Sequence, residues 1–379
     1  MSSFVEPCVH RPPCPGCPRF GAPGLAPQTA RRLAEFCRRH GLRLPRVIEG
    51  PASGYRHRAR LAVRGSAVRP SIGIFREGTH RAVDIPSCAV HHPLVNEVAA
   101  ELKRALGATG APPYSEERRG GLVRYVQIVV ERATATAQVV AVLFSESAAD
   151  GRSLAVELSR RLDAKLGSLW LNLNPSERNA IVGADFVHVA GPPAVRETLG
   201  GADVFFPPGA FGQSNLPLFD VIVRDIAARV PGGARVVECY AGVGAIGLGL
   251  VERSGDYAFN ETATASLDGL SLGIAALSEA SRGKARVLPG PAADFSDEIG
   301  AAEVVIVDPP RRGLEPGVSS ALARGRVERV LYLSCGLESL IRDAEALTAP
   351  GRLRAAEVQA YALFPYTDHV ETLVAFERV

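Results

Sequence analysis

"RVVECYAGVGAIGLGL", residues 235–250, is the stretch whose reading decides the fold. Arg235 to Tyr240 is a short apolar run that reads as a buried strand, and the glycines at 242, 244 and 247 read as a tight turn into a helix. Glycine at such a crossover lets the backbone approach a bound nucleotide, because no Cβ stands in the way. Gly-Val-Gly-Ala-Ile-Gly (242–247) also meets the spacing of a dinucleotide fingerprint, so nicotinamide and S-adenosylmethionine chemistry both stand open here.

The flanks extend the pattern. From "LPLFDVIVRDIAARV" (216–230) onward, helical stretches alternate with short apolar runs: "YAFNE" (257–261), "ARVLPG" (285–290), "EVVIVDPP" (303–310) and "RVLYLSC" (329–335). This is the sequence form of a doubly wound parallel sheet. "LRAAEVQAY" (353–361) and "HVETLVAFER" (369–378) read as a closing antiparallel pair. Upstream, strands within 56–85, "LVRYVQIVVER" (122–132) and "ATAQVVAVLF" (135–144), with helices at 93–106 and 150–166, predict a mixed, largely antiparallel block. It ends near the turn-rich "FFPPGAFGQSN" (205–215). A chain of 379 residues exceeds one ordinary core. We therefore expect an α+β domain over 1–205 and an α/β domain over 206–379.

A hydrophobic fraction of 46% and a charged fraction of 22% describe a soluble globular chain, and no run is long enough to span a membrane. With no signal-peptide core at the start, the expected location is cytoplasmic. The net charge is only +3, yet basic residues crowd 31–46, 55–69 and 116–124, clusters that hold phosphates or simply face solvent.

Seven cysteines, an odd number, point to metal ligation or catalysis rather than a disulfide framework. Cys8, Cys14 and Cys17 give a Cys-x5-Cys-x2-Cys run, with Pro15-Gly16 suited to the turn inside the pair. A closed site needs a fourth ligand, His10 or, better, Cys88; zinc and an iron–sulfur cluster are both open. Cys37 reads as packing. Cys335 ends a core strand, where open α/β sheets keep their active sites.

Two features separate the cofactor readings. Glu261 falls about twenty residues past the glycine loop, where an acid accepts the ribose hydroxyls of either cofactor. Asp308-Pro309-Pro310 ends another strand, and the two prolines fix a rigid backbone whose carbonyls have no accompanying donors. Hydride transfer has no use for that arrangement; methyl transfer to flat nitrogenous rings does.

Taken in order, "CVHRPPCPGC" with Cys88, "SGYRHRARLAV", "IGIFREGTH", "FGQSN", "ECYAGVGAIGL", "VDPPRRG", "LYLSCG" and "FPYTDHVETL" resemble the RNA 5-methyluridine methyltransferases over nearly the whole chain. The nearest branch in pattern methylates a hairpin uridine of 23S ribosomal RNA, carries an iron–sulfur cluster and lacks an N-terminal RNA-binding barrel; with the first cysteine at residue 8, no barrel is expected here. The resemblance implies a Rossmann-like class I methyltransferase domain behind an α+β domain with a cysteine-ligated 4Fe–4S cluster on Cys8, Cys14, Cys17 and Cys88. It implies S-adenosylmethionine contacts from Gln213, Tyr240, the loop glycines Gly242 and Gly244, Glu261 and Asp308. It implies Cys335 as nucleophile and Glu371 as base, acting in a monomer on RNA. Tyr55, the basic run from Arg56 to Arg69, and Phe75 are the expected RNA-facing surface.

Three departures from the family pattern stand out: Gly336 in place of Asn after the cysteine, Ala241 before the glycine loop, and a Ser/Thr/Gly-rich segment over 257–278. They leave a non-catalytic RNA-binding relative as the rival reading, with a nicotinamide oxidoreductase a distant third.

Overall fold

The computed structural model of the protein describes residues 8–22, 24–176 and 180–379. The chain divides into two compact units, one built from residues up to Gly21, 51–197 and 207–216, the other from 22–50, 198–206 and 217–379. Among the described residues no helix is long and apolar enough to cross a membrane.

The chain opens with α1 (Pro27–Arg39) and β1 (Val47–Glu49), which both belong to the second unit. Pro27 suits the first helical turn, where an N–H would be unpaired anyway. Leu33, Phe36 and Cys37 share the buried face, so Cys37 packs as a small hydrophobe.

The first unit is a seven-stranded sheet of β2 (Arg58–Gly65), β3 (Pro70–Phe75), β4 (Ala82–Asp84), β5 (Val123–Glu131), β6 (Thr136–Leu143), β7 (Leu166–Leu173) and β8 (Asp185–Ala190), with α2 (Pro93–Thr109) and α3 (Arg152–Leu162). The strand order is β4-β3-β2-β5-β6-β7-β8, antiparallel except at β6–β7, which α3 connects as a crossover. Alternation in β2 and β5 turns Leu61, Val63, Val126 and Ile128 into one core with Val98, Leu102 and Leu158 of the helices.

The expected RNA-facing surface needs correction. Tyr55, Arg58 and Arg64 are buried. Arg64, 7% exposed, stacks 5.1 Å from the ring centroids of both Phe75 and Tyr125 and pairs with Glu116. Arg58 donates to the Ala210 carbonyl at 2.8 Å. Composition could not separate solvated arginines from arginines that hold a sheet face together.

The second unit takes up the chain within β9 (Val195–Leu199), which forms a two-stranded sheet with β10 (Ala202–Phe206). It then runs α4 (Leu216–Ala227), β11 (Arg235–Cys239), β12 (Asp256–Glu261), α5 (Thr264–Ala276), α6 (Glu279–Arg282), β13 (Ala285–Pro289), α7 (Ser296–Ala301), β14 (Val304–Val307), α8 (Pro316–Arg324), β15 (Arg329–Ser334), α9 (Leu337–Thr348), β16 (Leu353–Ala362) and β17 (Glu371–Arg378). Its eight strands lie in the order β1-β16-β17-β15-β14-β11-β12-β13. β11 through β15 are parallel, while β17 runs antiparallel to both β15 and β16, as the closing pair predicts. Strand order reverses between β11 and β14, so the crevice at their carboxyl ends is the natural ligand position.

One element differs from the sequence reading. No α-helix follows the glycine loop; residues 242–247 are turns leading to a single 3-10 turn at Leu248–Leu250. The glycines are responsible. A Cβ on Gly247 would lie 2.1 Å from Glu238 Oε2, and one on Gly249 would lie 2.3 Å from the Gly200 carbonyl. Close backbone packing on both sides replaces helical propagation, which glycine disfavours in any case.

Candidate active site

Parallel register lines up the candidate side chains on one edge of the sheet. Cys239 pairs with Asn260 and with Val307, and Val307 pairs with Tyr332. The residues just beyond these strand ends are therefore Tyr240, Asp308 and Cys335, with Glu261 closing β12. β17 enters the same edge by its amino end, because it is antiparallel: its Thr372 pairs with Ser334. The row reads Glu261, Tyr240, Asp308, Cys335, Glu371 across β12-β11-β14-β15-β17. Four inter-strand steps of about 4.8 Å make it roughly 19 Å long.

At one end lies the glycine loop. Tyr240 takes a left-handed φ of +61°, a conformation that costs a non-glycine residue about 1 kcal/mol or more. The strain is held by Ala241 N–H donating to Asn260 O at 2.8 Å and Gly242 N–H donating to Glu261 Oε2 at 2.7 Å. Glu261 Oε1 accepts from Thr262 and Ala263 N–H at 2.7 and 2.8 Å. Its carboxylate thus joins the glycine loop to the turn after β12, despite the unusual composition of 257–278. A Cβ on Gly242 would meet nothing within 4 Å, so the loop opens onto free space there. Gly244 has a packing reason instead, since its Cβ would fall 2.7 Å from Leu270 Cδ1. An open glycine cradle with an acid at the end of the next strand suits an adenosyl cofactor.

Under the loop sits an acid that the sequence reading did not single out. Glu238 is buried and accepts from the Tyr257 hydroxyl at 2.8 Å; burial pushes it up to about 8, with Asp308 and Glu261 adding to the rise. Strand alternation hid it, because a carboxylate inside an apolar run reads as an edge residue.

At the other end, Cys335 lines a cavity of about 460 Å³ with Arg311, His369, and Gln28, Thr29 and Arg32 of α1. Thr29 Oγ1 donates to the Asp368 carbonyl at 3.0 Å, fixing the loop that leads into Glu371. Glu371 is 3% exposed, and no described protein group hydrogen-bonds its Oε2. Burial holds its carboxyl well above the usual range, the Asp308 charge adds to this, and Arg311 works against it. Burial also pushes the Cys335 thiol up to about 11, followed by Glu371 and Asp308, with Arg311 again opposing. Asp308 itself rises to about 7 through burial. The end of the row is thus a pocket in which a thiol and a buried carboxyl share one arginine beside a second buried carboxyl, an arrangement typical of sites that move protons.

The remaining expected residues belong to the first unit. Gln213 is half-buried in the 207–216 segment. Cys8, Cys14, Cys17 and Cys88 line one cavity of about 170 Å³ together with His10 and His91. Burial pushes Cys17 up to about 11, and the Cys88, Cys14 and Cys8 sulfurs are close enough to raise it further. Among the described residues no group of three or more His, Cys, Asp or Glu converges as a site for a metal ion.

The family model for tRNA (Uracil-5-)-methyltransferase matches residues 294–379, which hold Asp308, Cys335 and Glu371. An RNA methyltransferase of Protochlamydia amoebophila is 33% identical over 379 residues, covering 98% of this chain and 97% of its own. One from Geobacter sulfurreducens is 29% identical, covering 84% of this chain and 65% of its own. The crystal structure of Pyrococcus abyssi tRNA (uracil-54, C5)-methyltransferase, in complex with S-adenosyl-L-homocysteine, superposes with a TM-score of 0.77 at 24% identity, covering 92% of this chain and 82% of that one. Its fold is the class I methyltransferase fold seen here. On its sequence and its fold, the chain belongs to the RNA (uracil-5-)-methyltransferase family.

Proposed function

We propose that the protein methylates C5 of a uridine in a hairpin of 23S ribosomal RNA, with Cys335 as nucleophile, Glu371 as base and a 4Fe–4S cluster on Cys8, Cys14, Cys17 and Cys88. The observation that carries the reading is the facing of Cys335 and Glu371 on the edge that also bears the glycine loop. The choice of 23S RNA rests on the motif pattern around the four cysteines.

Uracil C5 is a poor nucleophile until the ring is activated. The Cys335 thiolate adds to C6, and the C5=C6 electron pair moves onto C5 and the O4 enolate. S-adenosylmethionine supplies the electrophilic methyl, as a sulfonium, to that carbon. Glu371 then removes the C5 proton, the electron pair re-forms C5=C6, and the C6–S bond breaks to return the thiolate. Burial suits Glu371 to this step, because a carboxylate that holds its proton tightly is the stronger base. Tyr240, Gly242, Gly244, Glu261 and Asp308, with Gln213, would hold the cofactor. The target base must leave its stack to reach Cys335, and the cavity beside α1 gives room for it.

The test uses full-length protein, labelled S-adenosylmethionine, and unmodified 23S and transfer RNA, with Cys335→Ala alongside. Label in 5-methyluridine from 23S RNA, absent with the variant, is the expected result. Transfer only to transfer RNA would overturn the substrate assignment, and full transfer by Cys335→Ala would overturn the mechanism.

A further inference from the structure

The loop after β14 is gripped by two neighbouring residues of α9 that the chemistry above does not use. Pro310 to Gly313 is a turn closed by Gly313 N–H donating to Pro310 O at 2.8 Å, with Arg311 and Arg312 in its centre. Gly313 has a φ of +86°, and a Cβ there would lie 2.3 Å from Asp343 Oδ2. Asp343 is 5% exposed. Its Oδ2 accepts from Leu314 N–H at 2.7 Å and from the Tyr332 hydroxyl at 2.8 Å. Its Oδ1 accepts from Arg342 Nε and Nη2 at 3.2 and 3.1 Å. Arg342 Nη2 also donates to the Arg312 carbonyl.

Three successive residues of the loop are therefore held from one side, at the Arg312 carbonyl, at the missing side chain of Gly313 and at the Leu314 N–H. Tyr332 ties the same carboxylate to β15, three residues before Cys335. With four donors Asp343 has its acceptor sites filled, so it is a fixed anchor. What it anchors is the backbone under Arg311. Arg311 is exposed, and its charge opposes the upward push on both Cys335 and Glu371. That influence falls with distance, so its size depends on where the turn is kept.

We propose that Arg342 and Asp343 form a positioning clamp that sets the Pro310–Gly313 turn, keeping the Arg311 guanidinium beside Cys335 and Glu371 so that the anionic thiol is favoured when the reaction starts. The clamp rests on the reading of Cys335 as nucleophile. The charged groups around that thiol are Glu371 of β17, Asp308 and Arg311 after β14, and Arg32, Glu338, Asp368 and His369 around the cavity. Of these the clamp touches only the loop that bears Arg311.

The test follows iodoacetamide alkylation of Cys335 against pH in the full-length protein, read by peptide mass spectrometry, with methyl transfer measured in parallel. Arg311→Gln is expected to move the alkylation midpoint upward by about one pH unit. Asp343→Asn is expected to move it the same way, and the double variant no further than Arg311→Gln alone. Turnover should fall about tenfold in Asp343→Asn, with the RNA KM within about twofold. Should Asp343→Asn lose its cooperative thermal transition, Arg342→Ala decides, because that side chain is 61% exposed and its removal leaves the core intact. A wild-type alkylation profile in the folded clamp variants, or shifts that add fully in the double, would overturn the clamp. Alkylation shifts as expected, in protein that transfers no methyl to any RNA, would uphold the clamp and remove the proposed function instead.

Discussion

Cys335 faces Glu371 one step beyond the last pair of an antiparallel ladder, Ser334 with Thr372. The relation depends on β17 running against its neighbours. In an all-parallel sheet the residue opposite Cys335 would also follow a strand. Here the reversed strand brings its first residue to the edge, so a buried acid stands beside the thiol with one oxygen that no described residue hydrogen-bonds.

From that facing follows a split between two variants. Cys335→Ala should form no covalent RNA adduct and transfer no methyl. Glu371→Gln keeps the thiol but cannot take the C5 proton, so addition and methylation proceed and elimination stalls. A denaturing gel should then retain labelled RNA on the Glu371→Gln protein, with turnover lower by about 10²–10⁴. Equal absence of adduct in both variants would place Glu371 before the addition step rather than after methylation.

Glu371 also makes a prediction about stability. Its carboxyl is held above the usual range by burial, so the folded state binds its proton more tightly than the unfolded state. Its contribution is therefore fully present below the ordinary carboxylate range and is lost as pH rises through the folded value. Glutamine is neutral throughout. The thermal midpoint of Glu371→Gln should exceed that of the wild type by a margin that grows from pH 5 to pH 8, in differential scanning calorimetry at matched ionic strength, a range set by where carboxylates ordinarily titrate, about pH 4. A constant margin would mean that the acid is already ionised in the folded protein across this range.

Much of the candidate site was legible because strand ends carry their own marks. "VDPPRRG" stops at prolines, "LYLSCG" stops at a serine-cysteine-glycine turn, and each falls at the edge that ligands use. What stayed hidden depends on contacts far apart in sequence. α1 reads as an ordinary amphipathic helix, yet it pairs Arg32 with Glu338 and Arg39 with Glu345 and lines the cavity beside Cys335. The two pairs share one register, each seven residues on from the other, which no local pattern announces. The buried Arg64 is the opposite failure: its charge signalled solvent, and three aromatic rings within 5.5 Å gave it another environment. In the glycine loop, periodicity pointed to a helix where backbone close approach won.

That close approach can be tested at Gly247. An added methyl would lie 2.1 Å from Glu238 Oε2 and 2.3 Å from the Tyr257 hydroxyl, both buried and bonded to each other. Neither group has room to move, so Gly247→Ala should destabilise the protein by about 1–3 kcal/mol in denaturant unfolding. The displaced Glu238 lies directly below the loop, so S-adenosylmethionine affinity in calorimetry should fall as well. Gly242→Ala meets no such wall; its strain comes from the left-handed φ of +58° alone, and its packing cost should be the smaller of the two. Equal losses in both would mean that the Glu238–Tyr257 pair yields more readily than its burial implies.

The cysteine cavity discriminates between two metals without any measurement of activity. Cys8, Cys14, Cys17 and Cys88 offer four soft donors, with no carboxylate among the described residues that line the cavity. A cubane on these thiols would give about four irons and four sulfides per chain after anaerobic purification, with the broad visible absorbance of thiolate-bound iron. A structural zinc would give about one zinc and no colour. Cys88→Ser removes the one ligand remote in sequence, so it should lose the bound metal and lower the thermal midpoint, because ligand binding free energy is folding free energy in such sites. Cys37→Ser is the control, since Cys37 packs on the buried face of α1 in the core of the second unit. Its metal content should match the wild type. One zinc per chain in the anaerobic preparation would end the cluster assignment, and full iron in Cys88→Ser would pass the fourth place to another group on the cavity, with His10 the first to examine.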